Sequence, residues 1–223
     1  MQTTTNNSGS KSLAHLYQNI QNAYPALSRN LVKTPIVEFP WLSSNNRRVW
    51  AKLECLQRTG SFKLRGAYNA LHLLSPGASV YTASAGNHGL AIATLARELS
   101  LQANIFVPLT ASEIKIRRLR AVGARVVQGG GDVSEAYVTA HQEAQENGGY
   151  YISPFDHPDV VAGQGSLALE IAEQDDRRFD HIRLLSVVTW IKASMVSRCL
   201  KASCPLLLMA LRSSTNQTTG CGL

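Results

Sequence analysis

Val80-Tyr81-Thr82-Ala83-Ser84-Ala85-Gly86-Asn87-His88 passes from a short apolar run into small polar residues and then into a helical pattern. Val80 to Ala83 reads as a strand. Asn87 to Leu99 reads as a helix, with Ile92, Leu95 and Leu99 on one face. The same alternation continues towards the C-terminus. Ala103 to Val107 is a strand, Ser112 to Val122 a helix stopped by Gly123, and Arg125 to Gln128 a strand. Asp132 can cap the next helix, Glu135 is placed for a capping box, and Val133, Tyr137, Ala140 and Ala144 form its expected buried stripe. Tyr150 to Ile152 is the following strand. Connections this short between strands and helices predict a parallel sheet covered on both faces. Gly129-Gly130-Gly131 has neither the P-loop lysine nor dinucleotide spacing, and Asp132 would repel a phosphate there, so it reads as a structural turn.

Upstream lies Ser61-Phe62-Lys63-Leu64-Arg65-Gly66-Ala67, continued by Tyr68-Asn69. Taken alone, Lys63 would be a surface lysine on an amphipathic helix. Its setting suggests more. Gly60 and Gly66 let the backbone pass close to a flat ring, while Phe62 and Ala67 supply dry surroundings. Partial burial lowers a lysine pKa and frees the amine for Schiff-base chemistry. Ser84-Ala85-Gly86-Asn87-His88 has two readings. Ser84 or Asn87 could cap the helix, or the exposed N–H groups could cradle a carboxylate at the carboxyl end of a parallel strand.

Together the two motifs resemble the cofactor lysine and substrate loop of threonine dehydratases and the related serine racemases. Leu53-Glu54, Gln57, Thr59 and Gly60 extend the likeness upstream, and Pro154-Phe155-Asp156 with Ala162-Gly163-Gln164-Gly165 extends it downstream, over roughly residues 30–182. The resemblance implies an α/β, two-domain, tryptophan synthase β-like (fold type II) pyridoxal-phosphate fold. Lys63 would hold pyridoxal 5′-phosphate as a Schiff base and later take the substrate's α-proton. Phe62 would pack beside the ring, and Asn87 would bond its phenolic oxygen. Ser84, Gly86 and His88 would line the carboxylate site. The implied reaction converts L-threonine, or L-serine, to 2-oxobutanoate, or pyruvate, and ammonia; an intact family member is expected to be a homo-oligomer. Ala85 stands where the racemases carry a second serine, which favours dehydration over racemisation. Leu90 replaces the glutamine usual at its position.

The resemblance also calls for a buried strand after His181-Ile182, running into a glycine-rich turn that binds the cofactor phosphate. Here the residues are Arg183-Leu184-Leu185-Ser186-Val187-Val188, and no glycine occurs between Gly165 and Gly220. Losing three or four charge-assisted hydrogen bonds to a phosphate costs on the order of 5–10 kcal/mol. Tandem GGT glycine codons read one base late become GTG-GTG, so a frame shift near residue 183 would account for Val187-Val188. The expected division is a flexible tail over 1–12, a partial large domain from 13–78 and 154–182, and a small domain over 79–153. Most of the large domain would be missing, with a poorly ordered tail over 183–223. Two further readings stay open: an inactive fragment of such an enzyme, and a cofactor-free α/β binding module.

Composition narrows the rest. The net charge of +7 is uneven, because residues 181–223 hold five cations and no acid, leaving +2 for the first 180. With no interleaved aromatics or reading motif, nucleic-acid binding is not expected. No apolar run approaches a membrane span, and Met1 to Ser10 lacks an apolar signal core, so the expected location is the cytoplasm. Cys55 stands apart from Cys199, Cys204 and Cys221, with no C-x-x-C pair and no nearby histidine; no metal site is expected.

Overall fold

A computed structural model describes residues 7–177, 181–185 and 207–213. In chain order the elements are helix α1 (Asn7–Asn30), strands β1 (Ile36–Glu38) and β2 (Arg47–Lys52), and helix α2 (Lys63–Leu71). A regular alternation follows: β3 (Ser79–Ala83), α3 (Asn87–Glu98), β4 (Gln102–Val107), α4 (Glu113–Ala121), β5 (Arg125–Gln128), α5 (Val133–Glu146) and β6 (Tyr150–Tyr151). Helix α6 (Pro158–Gln174) and strands β7 (His181–Leu185) and β8 (Leu207–Ser213) complete the described chain.

Strands β5-β4-β3-β6 form one sheet in that order, and every pairing is parallel. The period-two alternation of side chains separates two cores. Val80, Ala103, Ile105 and Val107 face one side, against Ile92 and Leu95 of α3 and Ile116 and Leu119 of α4. Tyr81, Ala83 and Phe106 face the other, against Ala136, Ala140 and Ala144 of α5. Both faces are covered by helices, as the short connections predict.

The α5 stripe needs correction. Ala136, Ala140 and Ala144 are buried, whereas Val133 and Tyr137 are exposed. Small side chains at spacing four let α5 lie close to the sheet, and the larger pair falls on its outer side. The cap forms as expected: Asp132 accepts from the N–H groups of Ser134 and Glu135. Glu135 reaches back to the Gly131 N–H at 2.7 Å, closing the glycine turn.

The second sheet runs β1-β2-β8-β7 and is antiparallel throughout. Two expectations fail here. Residues 1–12 are not all tail, since α1 starts at Asn7. In α1, Ala23 and Leu27 are buried, as is Leu31 just past its end, while Leu13 and Tyr17 are exposed. The apolar face thus lies nearer the C-terminal end, and the polar first turns extend a helix anchored there. The region 183–223 is not wholly unstructured either. Residues 183–185 lie in β7, and Leu207–Ser213 pairs with both β2 and β7. An unpaired sheet edge offers free backbone groups to any extended apolar segment, and β8 takes that place. The remainder of that tail lies outside the described residues. No helix among the described residues is long and apolar enough to cross a membrane.

Candidate active site

Lys63 is the first residue of α2 and follows a turn in which Gly60 has φ +76°. Its ammonium donates to the Pro154 carbonyl at 2.9 Å. The amine lies 5.5 Å from the centre of the Phe62 ring and 5.6 Å from that of Phe155. Phe62 is buried, whereas Phe155 is exposed. Loss of solvent holds the Lys63 pKa below the ordinary lysine value. The structure thus supplies a partly desolvated amine between two aromatic rings.

The Ser84–His88 loop joins the end of β3 to α3. Gly86 occupies the cap position in extended conformation, and no side chain caps the helix. Ser84 Oγ instead accepts from the Gly86 N–H at 3.2 Å, inside the loop. The capping alternative for Ser84 and Asn87 is therefore not realised, leaving the first amides of α3 without a capping side chain. Gly89 has a steric role: a Cβ there would fall 2.0 Å from the Ser84 carbonyl oxygen. Only a residue without a side chain lets α3 press back against this loop.

His88 points inward and is buried. Its Nε2 lies 3.3 Å from the Ile152 carbonyl. A carbonyl only accepts, so Nε2 carries the proton and Nδ1 is a bare acceptor. Burial, and then the charge of Lys63, push the His88 pKa down to about 3, keeping the ring neutral. Lys63 and His88 thus bond carbonyls two residues apart on one short segment after β6, Ile152 to Pro154, and that segment ties the amine to the loop. Of the sequence candidates, Lys63 and Phe62 stand on one side of this tie and Ser84, Gly86, Asn87 and His88 on the other. Beside the loop, Ala85, Gly86, Asn87 and Leu90 line a cavity of about 60 Å³ together with Lys115 and Arg118 of α4, two cations that sequence reasoning did not single out.

Behind Lys63 lies a buried ionic cluster that sequence reasoning also missed. Arg65 donates to Glu54 through Nε and one terminal nitrogen, each at 2.8 Å. It bonds Glu170 at 2.9 and 3.0 Å. Glu170 also takes the Lys52 ammonium and the Thr34 N–H, and Glu54 takes the Thr34 hydroxyl at 2.6 Å. Side-chain exposure is 0% for Arg65, 1% for Glu54, 3% for Glu170 and 2% for Lys52, so four charges are buried and mutually compensated. Burial works against ionisation of Glu170, but its bonds from Arg65 and Lys52 prevail and hold its pKa below the usual carboxylate value. The available signal was Glu54 and Arg65, charged residues inside otherwise apolar stretches.

The fit to a cofactor differs at its two ends. Among the described residues, Ser61 Oγ, two positions before Lys63, and His88 Nδ1 are buried without a partner, as in a site that a polar ligand completes. Lys63, Phe62 and Asn87 suit the ring end of pyridoxal phosphate. At the phosphate end, β7 pairs antiparallel with β8, and residues 166–219 contain no glycine to form the turn that the resemblance calls for.

The α/β build and the partly buried Lys63 are what a pyridoxal-phosphate enzyme would show. A family model for pyridoxal-phosphate dependent enzymes matches residues 27–188, and the chain belongs to that family. Within it the similarity runs to threonine dehydratases. The chain is 40% identical over 146 residues to threonine dehydratase 1 biosynthetic, chloroplastic, of Solanum lycopersicum, covering 64% of this chain and 24% of that protein. It is 37% identical over 160 residues to the L-threonine ammonia-lyase of Thermotoga maritima, covering 70% and 40%. The processed form of threonine deaminase isoform 2 from Solanum lycopersicum superposes with a TM-score of 0.66 at 36% identity, covering 73% of this chain and 46% of that structure. The chain therefore spans less than half the length of each of these relatives.

Proposed function

We propose that this chain carries the amine-bearing part of an ammonia-lyase site for L-threonine or L-serine, with Lys63 as the residue that binds the cofactor and moves the substrate's α-proton. The observation carrying this reading is the partly desolvated Lys63 amine, tied through Ile152–Pro154 to an uncapped loop at the carboxyl end of a parallel strand. We read residues 79–153 as the small domain, with the cleft between it and 13–78 plus 154–182.

When bound, pyridoxal phosphate supplies an electron-withdrawing ring that accepts the charge left on the substrate's Cα. The protein's part is positional and protonic. The free N–H groups at the start of α3, with Ser84 and Gly86 of the loop, would orient a substrate carboxylate. The lowered pKa of Lys63 leaves more neutral amine near neutrality than an exposed lysine has, as a general base requires. His88, already neutral, does not compete for the proton. Ala85 offers no hydroxyl to return a proton from the opposite face, which supports elimination over racemisation.

A second reading rests on the missing glycine turn: cofactor held through Lys63 alone, weakly, without turnover. Both are tested on the purified 223-residue chain with added pyridoxal phosphate, borohydride reduction and peptide mapping, beside assays for 2-oxo acid from threonine and serine. Label at Lys63 with 2-oxo acid release supports the lyase, and label without release supports the second reading. No label at Lys63, or equal labelling of a Lys63→Ala chain, would refute both.

A further inference from the structure

Lys63 and Arg65 are two residues apart in the first turn of α2, so their side chains leave the axis about 200° apart. Lys63 points to the Pro154 carbonyl and Arg65 into the ionic cluster, on opposite sides of the helix. The planar guanidinium is engaged by two carboxylates rooted in different places. Glu54 stands in the turn before the motif, and Glu170 stands on α6. Lys52 of β2 and the backbone of Thr34 anchor Glu170 in turn. Helices α2 and α6 also approach closely at their crossing, since a Cβ on Gly163 would meet the Arg65 carbonyl oxygen at 2.6 Å and the Gly66 Cα at 2.9 Å.

We propose that the Arg65–Glu54–Glu170–Lys52 cluster is a positioning device that fixes the rotation of α2 and thereby the place of the Lys63 amine. This rests on the reading of Lys63 given above. An extended lysine amine lies roughly 8 Å from its helix axis, so a 10° rotation of α2 would carry it about 1.4 Å. Displacements of about 1 Å in a reacting group cost on the order of 100-fold in rate. Apolar side chains of the same volume could fill this space equally well, because burying ions gives little net stability. They would lack the two-sided fork that makes orientation specific.

The test uses Arg65→Lys, which keeps the charge and removes the fork, in the full chain with a thermal melt as control for folding. Two readouts are taken. The first is the rate at which added pyridoxal phosphate becomes fixed to Lys63 by borohydride. A fall of about tenfold or more in a cooperatively folded variant is expected from a shift of an ångström. The second needs no cofactor: NMR titration of the ¹³C-dimethylated Lys63 amine, whose midpoint should rise towards the ordinary lysine value once the amine leaves its dry position. Unchanged rate and midpoint in a folded Arg65→Lys chain overturn the proposal. If that variant does not fold, the apolar set Lys52→Met, Glu54→Leu, Arg65→Met, Glu170→Leu is examined in the same way. Native-like Lys63 behaviour there, or failure of this chain to fold as well, also overturns the proposal, because the cluster would then serve the fold and not the amine. Absence of cofactor label in the wild type would sink the lyase reading and leave the NMR midpoint to decide the positioning claim.

Discussion

The two sheets formed by the described residues solve burial in opposite ways. The parallel sheet β5-β4-β3-β6 is lined on both faces by apolar side chains, with helices supplied by the intervening sequence. The antiparallel sheet β1-β2-β8-β7 and the helices near it enclose four charges instead. An apolar core is held by volume and tolerates rearrangement that keeps volume. An ionic core is held by direction, and removing one partner leaves another charge buried without compensation. The candidate site sits at the boundary: Lys63 leaves the ionic side and the Ser84–His88 loop leaves the apolar side, and they meet on Ile152–Pro154.

The sharpest way to break this contrast is to remove one ion. Arg65→Met strands Glu54 and Glu170 together and should cost about 3–5 kcal/mol in denaturant unfolding. A cost under about 1 kcal/mol would show the cluster to be solvated, and the contrast would fail.

The next test sits on the boundary and uses pH. The His88 pKa is about 3 in the folded chain against an ordinary value of 6.5, so the unfolded state binds more protons below pH 6.5. Stability is therefore fully present above pH 6.5 and is lost as pH falls towards 3, by roughly 3 kcal/mol at pH 4. In His88→Leu the acid limb between pH 6.5 and 4 should flatten by that amount; an unchanged limb would mean that the imidazole is solvated.

Smaller effects are expected within the apolar unit. Gly89→Ala puts a methyl group onto the Ser84 carbonyl oxygen, 2.0 Å from the ideal position. Displacing the loop should cost about 1–3 kcal/mol, with added loss of any cofactor labelling at Lys63. Asp132→Ala removes only a cap from α5 and should lower stability by about 1 kcal/mol while leaving Lys63 labelling unchanged. If the cap variant affected labelling as much as the glycine variant, coupling through the Ser84 loop would lose its support.

The parallel unit was legible because each decision in it is local. Strand alternation in 80–83 and 103–107, the Asp132 cap and the Gly123 stop all act within a few residues, and the elements they define are those observed, within a residue or two at most ends. The α5 stripe was misjudged because a 3.6-residue period fixes spacing but not which of two neighbouring faces meets the sheet, and three alanines make a weaker apolar signal than Val133 and Tyr137. Lys63 and the Ser84–His88 loop were recognisable as motifs. Their connection through two backbone carbonyls was not, because backbone carbonyls leave no mark in a sequence.

By itself the sequence determined the alternating strands and helices, the family and the candidate amine, since these follow from short-range periodicity and from residue types at close spacing. Tertiary structure alone decided that His88 faces inward as a neutral donor to Ile152, that Leu207–Ser213 fills the edge beside β2, and that Arg65 meets Glu170 across 105 residues of chain. The physical reason is the same in each case. Charge compensation, desolvation and edge pairing depend on which groups are brought within a few ångströms, and that is fixed by packing between segments whose sequences carry no record of one another.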